Sequence, residues 1–248
     1  MAVVPTTPKL RLSDLEVSDA TKRTLGLPPA GARELPAVCG QCKSPIGPNE
    51  HWHALTCVEN TPKGKTTRHN ALAGEVKTAF EEAGGSAEKE TPHLDRNSAK
   101  RPADVQGIID EENWVDVQVK SALAPSSMQR GDPVEQAERD KQEKYRTMVR
   151  DFEAPVRFVP FIVDTYGRLG EHAKELITRL AAHAKATGKA EEKTFKRSIT
   201  DRLAICLQKH NTRITRKWQI DTQLKAAAEK AMMATQDAVA KATPMETE

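Results

Sequence analysis

The order of predicted elements, a helix, three strands, a helix, a strand and then further helices, predicts an α/β fold with a mixed sheet of four or so strands flanked by helices. Three observations carry that expectation. Leu72, Val76 and Phe80 recur four residues apart, as on the buried face of a helix. Residues 114–120 alternate, with Val115, Val117 and Val119 on one side and Trp114, Asp116, Gln118 and Lys120 on the other. Residues 156–163 form an almost unbroken apolar run, the pattern of a strand covered on both faces.

Residues 1–35 are rich in Pro, Thr and small residues and read as a tether, with a short helix at 14–25. Residues 36–66 hold a cysteine and histidine cluster and run into a basic loop at 61–67. The core unit spans 67–190. Asn70 is expected to cap its first helix, which ends at Gly84-Gly85. Strands are expected over 86–93, 102–109 and 114–120, with Asp110-Glu111-Glu112-Asn113 as a polar turn. Asp132-Pro133 opens a helix to about Arg150. Pro160 counts against the strand at 156–163, because it cannot donate a ladder hydrogen bond. Helices follow at 171–185, with Leu176, Ile177, Leu180 and Ala184 inward, and at 192–210, with Phe195, Ile199, Leu203 and Cys206 inward. Asn211 is expected to break the second. Within the region 191–248, a last alanine-rich helix from Arg213 through Ala240 has little to bury beyond Ile214, Trp218, Ile220 and Leu224.

A chain of 248 residues suffices for one core with additions or for two small units. Its 38 Lys and Arg against 35 Asp and Glu leave a charge of +3, too little to argue for a polyanionic partner. The distribution says more. Lys193, Lys196, Arg197, Arg202, Lys209, Arg213, Arg216 and Lys217 are opposed locally by Asp201 alone, which reads either as a phosphate-facing surface or as a solvated helix. No stretch approaches the roughly 20 apolar residues of a membrane span, and no basic segment leads into an apolar one at the N-terminus. No membrane partner and an intracellular location are therefore expected.

Cys39-Gly-Gln-Cys42 supplies two thiolates, and His53-Ala-Leu-Thr-Cys57 an imidazole and a third thiolate. Soft and borderline donors at this spacing suit tetrahedral zinc, and the segment has too few apolar residues to hold its shape without metal. His51 competes with His53 for the nitrogen position. With all four places filled by protein, zinc here is structural. Cys206, in an apolar helical pattern, is left as a core residue.

Hydrolysing a phosphodiester needs an aligned water, a divalent cation and charge stabilisation. Asp104 and Asp116 offer the hard oxygens that magnesium or manganese takes. Gln118 could add a carbonyl oxygen or orient a water, and Lys120 could activate the nucleophile or neutralise developing charge. An exposed strand face also alternates polar residues for no chemical reason, so the pattern alone leaves a structural reading open.

From roughly Cys39 to Asn211 the chain resembles the carboxy-terminal region of non-LTR retrotransposon polyproteins, in which a Cys-Cys-His-Cys knuckle precedes a restriction-endonuclease-like domain of the PD-(D/E)XK fold. The matching stretches are Cys39-Gly-Gln-Cys42, His53-Ala-Leu-Thr-Cys57, Arg68-His69-Asn70-Ala71, Arg101-Pro102-Ala103-Asp104, Val115-Asp116-Val117, and Arg157-Phe158-Val159-Pro160 leading to Asp164-Thr165-Tyr166-Gly167. The resemblance implies that Asp104 is the first metal-binding acid and that the second lies on the strand from Val115. The place two residues before the lysine holds Gln118, similar to a variant in modification-dependent restriction enzymes, whereas Asp116 matches the acid that these retroelement domains commonly carry. Lys120 agrees with the nuclease pattern. Glu75 on the first helix is a further candidate carboxylate. Glu138, Lys141 and Tyr145 share a helix face, and superfamily members often contribute a basic or phenolic residue from there. Arg68 and His69, at a helix entrance, are candidates to meet a phosphate, as are Arg197, Arg202 and Arg213.

The implied activity is DNA cleavage in the nucleus, nicking a target strand so that its 3′-hydroxyl primes reverse transcription. The polymerase would belong to another part of a longer polyprotein. Two rivals stay open: an inactive nuclease fold that binds DNA or RNA, and a structural or interaction protein.

Overall fold

A computed structural model describes residues 10–29, 35–47, 50, 52–57, 59, 62–89, 103–121, 131–152 and 155–242. In chain order the elements are α1 (Asp14–Thr24), α2 (His53–Thr56), α3 (Pro62–Glu82), β1 (Ser86–Lys89), β2 (Val105–Ile108), β3 (Glu112–Lys120), α4 (Pro133–Arg150), β4 (Val156–Asp164), α5 (Glu171–Ala186) and α6 (Glu192–Ala242). The expected residues Arg101, Pro102, His51 and 90–93 lie outside the described ones.

The helix starts follow local chemistry. Ser13 accepts a hydrogen bond from the Glu16 amide while the Glu16 carboxylate accepts from the Ser13 amide, which closes a capping box on α1. Asp132 accepts from the amides of Val134 and Glu135, with Pro133 in the first turn of α4.

Two boundaries differ from the sequence expectation. Helix α3 begins at Pro62, so the basic loop expected at 61–67 is largely helical and Asn70 lies inside the helix rather than capping it. Tertiary contacts hold that first stretch: Lys65 Nζ donates to Cys57 O at 2.6 Å, and a Cβ on Gly64 would stand 3.1 Å from Ile214 Cγ1. Asn211 does not break a helix either. It is buried inside α6, where its amide donates to Thr165 O at 2.9 Å and its carbonyl accepts from Arg68 Nη1 at 2.7 Å.

The sheet is mixed, in the order β1-β2-β3-β4. Strands β1, β2 and β3 pair antiparallel, and β3 pairs parallel with β4 through the crossover helix α4. Strand β4 is an edge strand, which explains why Pro160 is tolerated: a residue there needs to pair on one side only. Val105, Val115, Val117, Val159, Phe161 and Val163 face one core with Leu72, Val76 and Phe80 of α3 and residues of α5 and α6. Phe80 covers Gly107, where a Cβ would fall 2.6 Å from the ring. On the opposite face Ile162 packs on Val134 and Ala137 of α4. The polar side of β3 therefore lies beneath α4. Among the described residues no helix is long and apolar enough to cross a membrane.

Candidate functional site

The cysteine and histidine donors converge. Cys39 Sγ lies 3.9 Å from Cys57 Sγ, Cys42 Sγ lies 3.2 Å from His53 Nε2, and all four donor atoms fall within 4.8 Å of one another. Ligands at ordinary zinc distances define a tetrahedron with edges of about 3.5–3.8 Å, so the donor set fits a metal ion such as zinc. Among the described residues it is the one group of three or more Cys, His, Asp or Glu close enough to hold an ion.

The surroundings orient these ligands. Trp218 Nε1 donates to Cys39 Sγ at 3.2 Å, the Gln41 amide donates to the same sulfur at 3.4 Å, and the Trp218 ring stacks tilted on His53. Burial opposes ionisation of Cys42, yet hydrogen bonds from Ser44, and then from His53 and Cys39, outweigh it and bring the thiol down to about 6. Burial pushes Cys57 up to about 12, with Cys42 and Cys39 adding to the rise. Ionising all three thiols in one place is opposed by their mutual repulsion, and a divalent cation offsets it.

The second group lies where β2 meets β3. Val105 pairs with Val115, so the next step of the ladder sets Asp104 beside Asp116. The Asp104 amide donates to Val115 O at 2.9 Å, and its Oδ2 accepts from the Val117 amide at 2.7 Å. Its Oδ1 stands 3.1 Å from His69 Nε2 of α3. Asp116, 7% exposed, has both oxygens on Lys141 Nζ of α4, at 2.7 and 3.0 Å.

These four groups sense one another. Burial raises Asp116 above the ordinary carboxylate range, Lys141 pulls it back, and the neighbouring Asp104 charge pushes it up. The Asp104 hydrogen bond raises His69 above its ordinary value against the pull of burial, and the charges of Asp104 and Asp116 add to the rise. Gln118 and Lys120 follow on the same side of β3, half-buried, and among the described residues neither side chain makes a hydrogen bond or ion pair.

The other sequence-predicted residues are dispersed. Glu75 faces α6, with Oε2 3.1 Å from Arg202 Nε, and Arg202 is also held by Glu82 at 2.6 and 2.7 Å. Arg68 is buried on Asn211 instead of exposed at a helix entrance. Tyr145 is buried against Phe158, its hydroxyl accepting from Lys144 Nζ at 2.9 Å. Glu138, also buried, accepts from the His172 amide at the start of α5. Arg197 pairs with Asp201 one turn on, and Arg213 is exposed.

Within the basic stretch 193–217, read as either a phosphate-facing surface or a solvated helix, Arg202 is met by Glu75 and Glu82 and Arg216 by Asp19 from distant parts of the chain, and Lys217 by Asp221 one turn on. Sequence reasoning offered His69 to a phosphate and Lys141 as a basic residue contributed from its helix face, and missed both as the partners of the two aspartates. Lys141 shares a helix face with Glu138 and Tyr145, and that face packs toward the sheet; this was the available signal.

Compared with the known protein families and with curated proteins, the chain finds no match.

Proposed function

We propose that this chain is a metal-dependent DNA endonuclease of retroelement origin, a restriction-endonuclease-like unit carrying a structural zinc knuckle. The observation that carries the reading is the side-by-side placement of Asp104, just before β2, and Asp116, on the neighbouring β3, beneath α4, with a lysine and a histidine on them. The helix, three strands, helix, strand order, with a parallel β3–β4 pair, supports it.

A magnesium or manganese ion bound there supplies Lewis-acid polarisation of the scissile phosphate and a more acidic water. Asp104 and Asp116 would hold it, with the Gln118 carbonyl oxygen as a neutral ligand. The donor chemistry fits, since both carboxylates meet hard-oxygen demand. Lys141, on both oxygens of Asp116, opposes the rise that burial imposes on this carboxyl and so favours its ligating form. The Val117 amide fixes one oxygen of Asp104 while His69 orients the other. Lys120, four residues past Asp116 on the same side of the strand, is placed to meet phosphate charge. Nicking of a target strand in the nucleus would leave a 3′-hydroxyl as primer, with the polymerase supplied by another part of a longer polyprotein.

Supercoiled plasmid with magnesium or manganese tests the reading: the wild type relaxes it and Asp104→Ala does not. An intact plasmid in every metal condition would overturn it. The second reading is an inactive nuclease fold that binds DNA or RNA, favoured by the occupation of both carboxylates by cationic side chains and by Gln118 where the superfamily usually has an acid. Salt-dependent binding that survives D104A without cutting would select it.

A further inference from the structure

Two arginines lie sealed from water with too few acceptors to meet them. Arg23, in the last turn of α1, is 2% exposed, and neither Nη1 nor Nη2 has a hydrogen-bond partner among the described residues. Its guanidinium lies 5.2 Å from the centre of the Trp52 ring, beside the cysteine and histidine cluster. Arg68 on α3 is 5% exposed. Its Nη1 is satisfied by Asn211, but its Nε has no partner.

Burial lowers Arg68 to about 10 and the charge of Arg23 adds to the fall, while burial lowers Arg23 to about 10 as well. Asp19, fully buried one turn before Arg23, acts on it through its charge, while its two oxygens accept from Arg216 at 2.8 and 3.1 Å. At the junction of α1, α3 and α6, three buried guanidinium nitrogens of Arg23 and Arg68 therefore lack an acceptor among the described residues. Bare buried charge of this kind is costly, and a tetrahedral oxyanion offers what is missing: negative charge and several acceptor oxygens that match planar guanidinium forks.

We propose that Arg23 and Arg68 form an interior binding site for a phosphate group, at the junction of α1, the cysteine and histidine cluster and the α3–α6 pair. The site does not depend on the nuclease reading and can exist with or without cleavage. Its occupant is either free inorganic phosphate or the terminal phosphate of a nucleic-acid strand, which present the same chemistry. Entry requires α1, whose main neighbour is α6, to lift.

Titration of the zinc-loaded full chain with inorganic phosphate at constant ionic strength, read by calorimetry and by Trp52 fluorescence against a Trp52→Phe control, tests the proposal. One phosphate per chain is expected. Arg23→Lys and Arg68→Lys, which keep the charge but lose the fork, should each weaken it by about tenfold or more. Lys variants are chosen so that folding survives, which melting curves without phosphate would verify.

A short oligonucleotide with a 5′-phosphate that competes, while its unphosphorylated twin does not, would identify a strand end as the occupant. Competition by neither would identify the free ion. The proposal fails if about 10 mM phosphate produces no heat and no stabilisation, or if both Lys variants bind as the wild type does.

Discussion

The cysteine and histidine cluster and the aspartate pair both gather metal-type donors, but they solve the charge problem in opposite ways. In the first, four donors already face one point and leave one another as neighbours. In the second, each carboxylate has its own cation, His69 for Asp104 and Lys141 for Asp116. The first arrangement is poised for an ion that completes a fold. In the second the carboxylates are already partnered, and an ion must displace or share those partners. A soft-ligand structural site gains by fixed convergence, whereas a site that turns over substrate can hold its carboxylates ionised with side chains.

The largest effect should therefore come from the first region. Chelation, or Cys39→Ser, should remove a metal contribution to folding on the order of 10 kcal/mol, seen as loss of one zinc per chain and melting of the segment packed on Ile214 and Trp218. A zinc-free protein with an unchanged melting curve would refute this. Next in size, Lys141→Met strands the buried Asp116 charge and should cost about 3 kcal/mol at neutral pH. Asp116 already sits above the ordinary carboxylate range, and without its partner it rises further. A carboxylate raised by folding costs stability once ionised, so the deficit of this variant should shrink as pH falls through the Asp116 value. A deficit independent of pH would mean that Lys141 acts through packing.

Much of this comparison was legible in the sequence, because both sites rest partly on local pattern. The spacing gives Cys39, Cys42 and Cys57 directly and leaves His51 and His53 as rivals for the fourth place, where His53 joins the cluster; the alternation of 114–120 sets Asp116 opposite the buried valines. What stayed hidden depends on residues far apart in the chain. Asn211 reads as a helix breaker until Arg68 and Thr165 supply its partners. The basic stretch at 193–217 reads as a positive surface until Glu75, Glu82 and Asp19 reach it. Lys141 lies 25 residues from Asp116, too far for any local rule to join them.

A smaller effect separates the two regions by pH. His69 is raised above 6.5, so its pairing with Asp104 stabilises the metal-free protein fully below that value and is lost as pH rises through the folded-state value. Metal uptake at Asp104 should run the other way. Magnesium-dependent nicking is expected to climb across this window and to flatten in His69→Gln, while zinc content stays constant. A profile that keeps its rise in the variant would assign it to another group.

The smallest expected effect bears on Glu75. Six residues separate it from His69, which turns it about 240° around α3 from the side that reaches Asp104. Its carboxylate meets Arg202 instead, and that guanidinium is held a second time by both oxygens of Glu82. Glu75→Gln should therefore leave Arg202 in place, cost less than about 1 kcal/mol, and leave plasmid nicking and its metal dependence unchanged. If nicking instead falls by about tenfold or more, a loss worth roughly 1.4 kcal/mol in the barrier, then α3 contributes a third carboxylate to the cation and the aspartate pair converges on its ion much as the cysteines do on theirs.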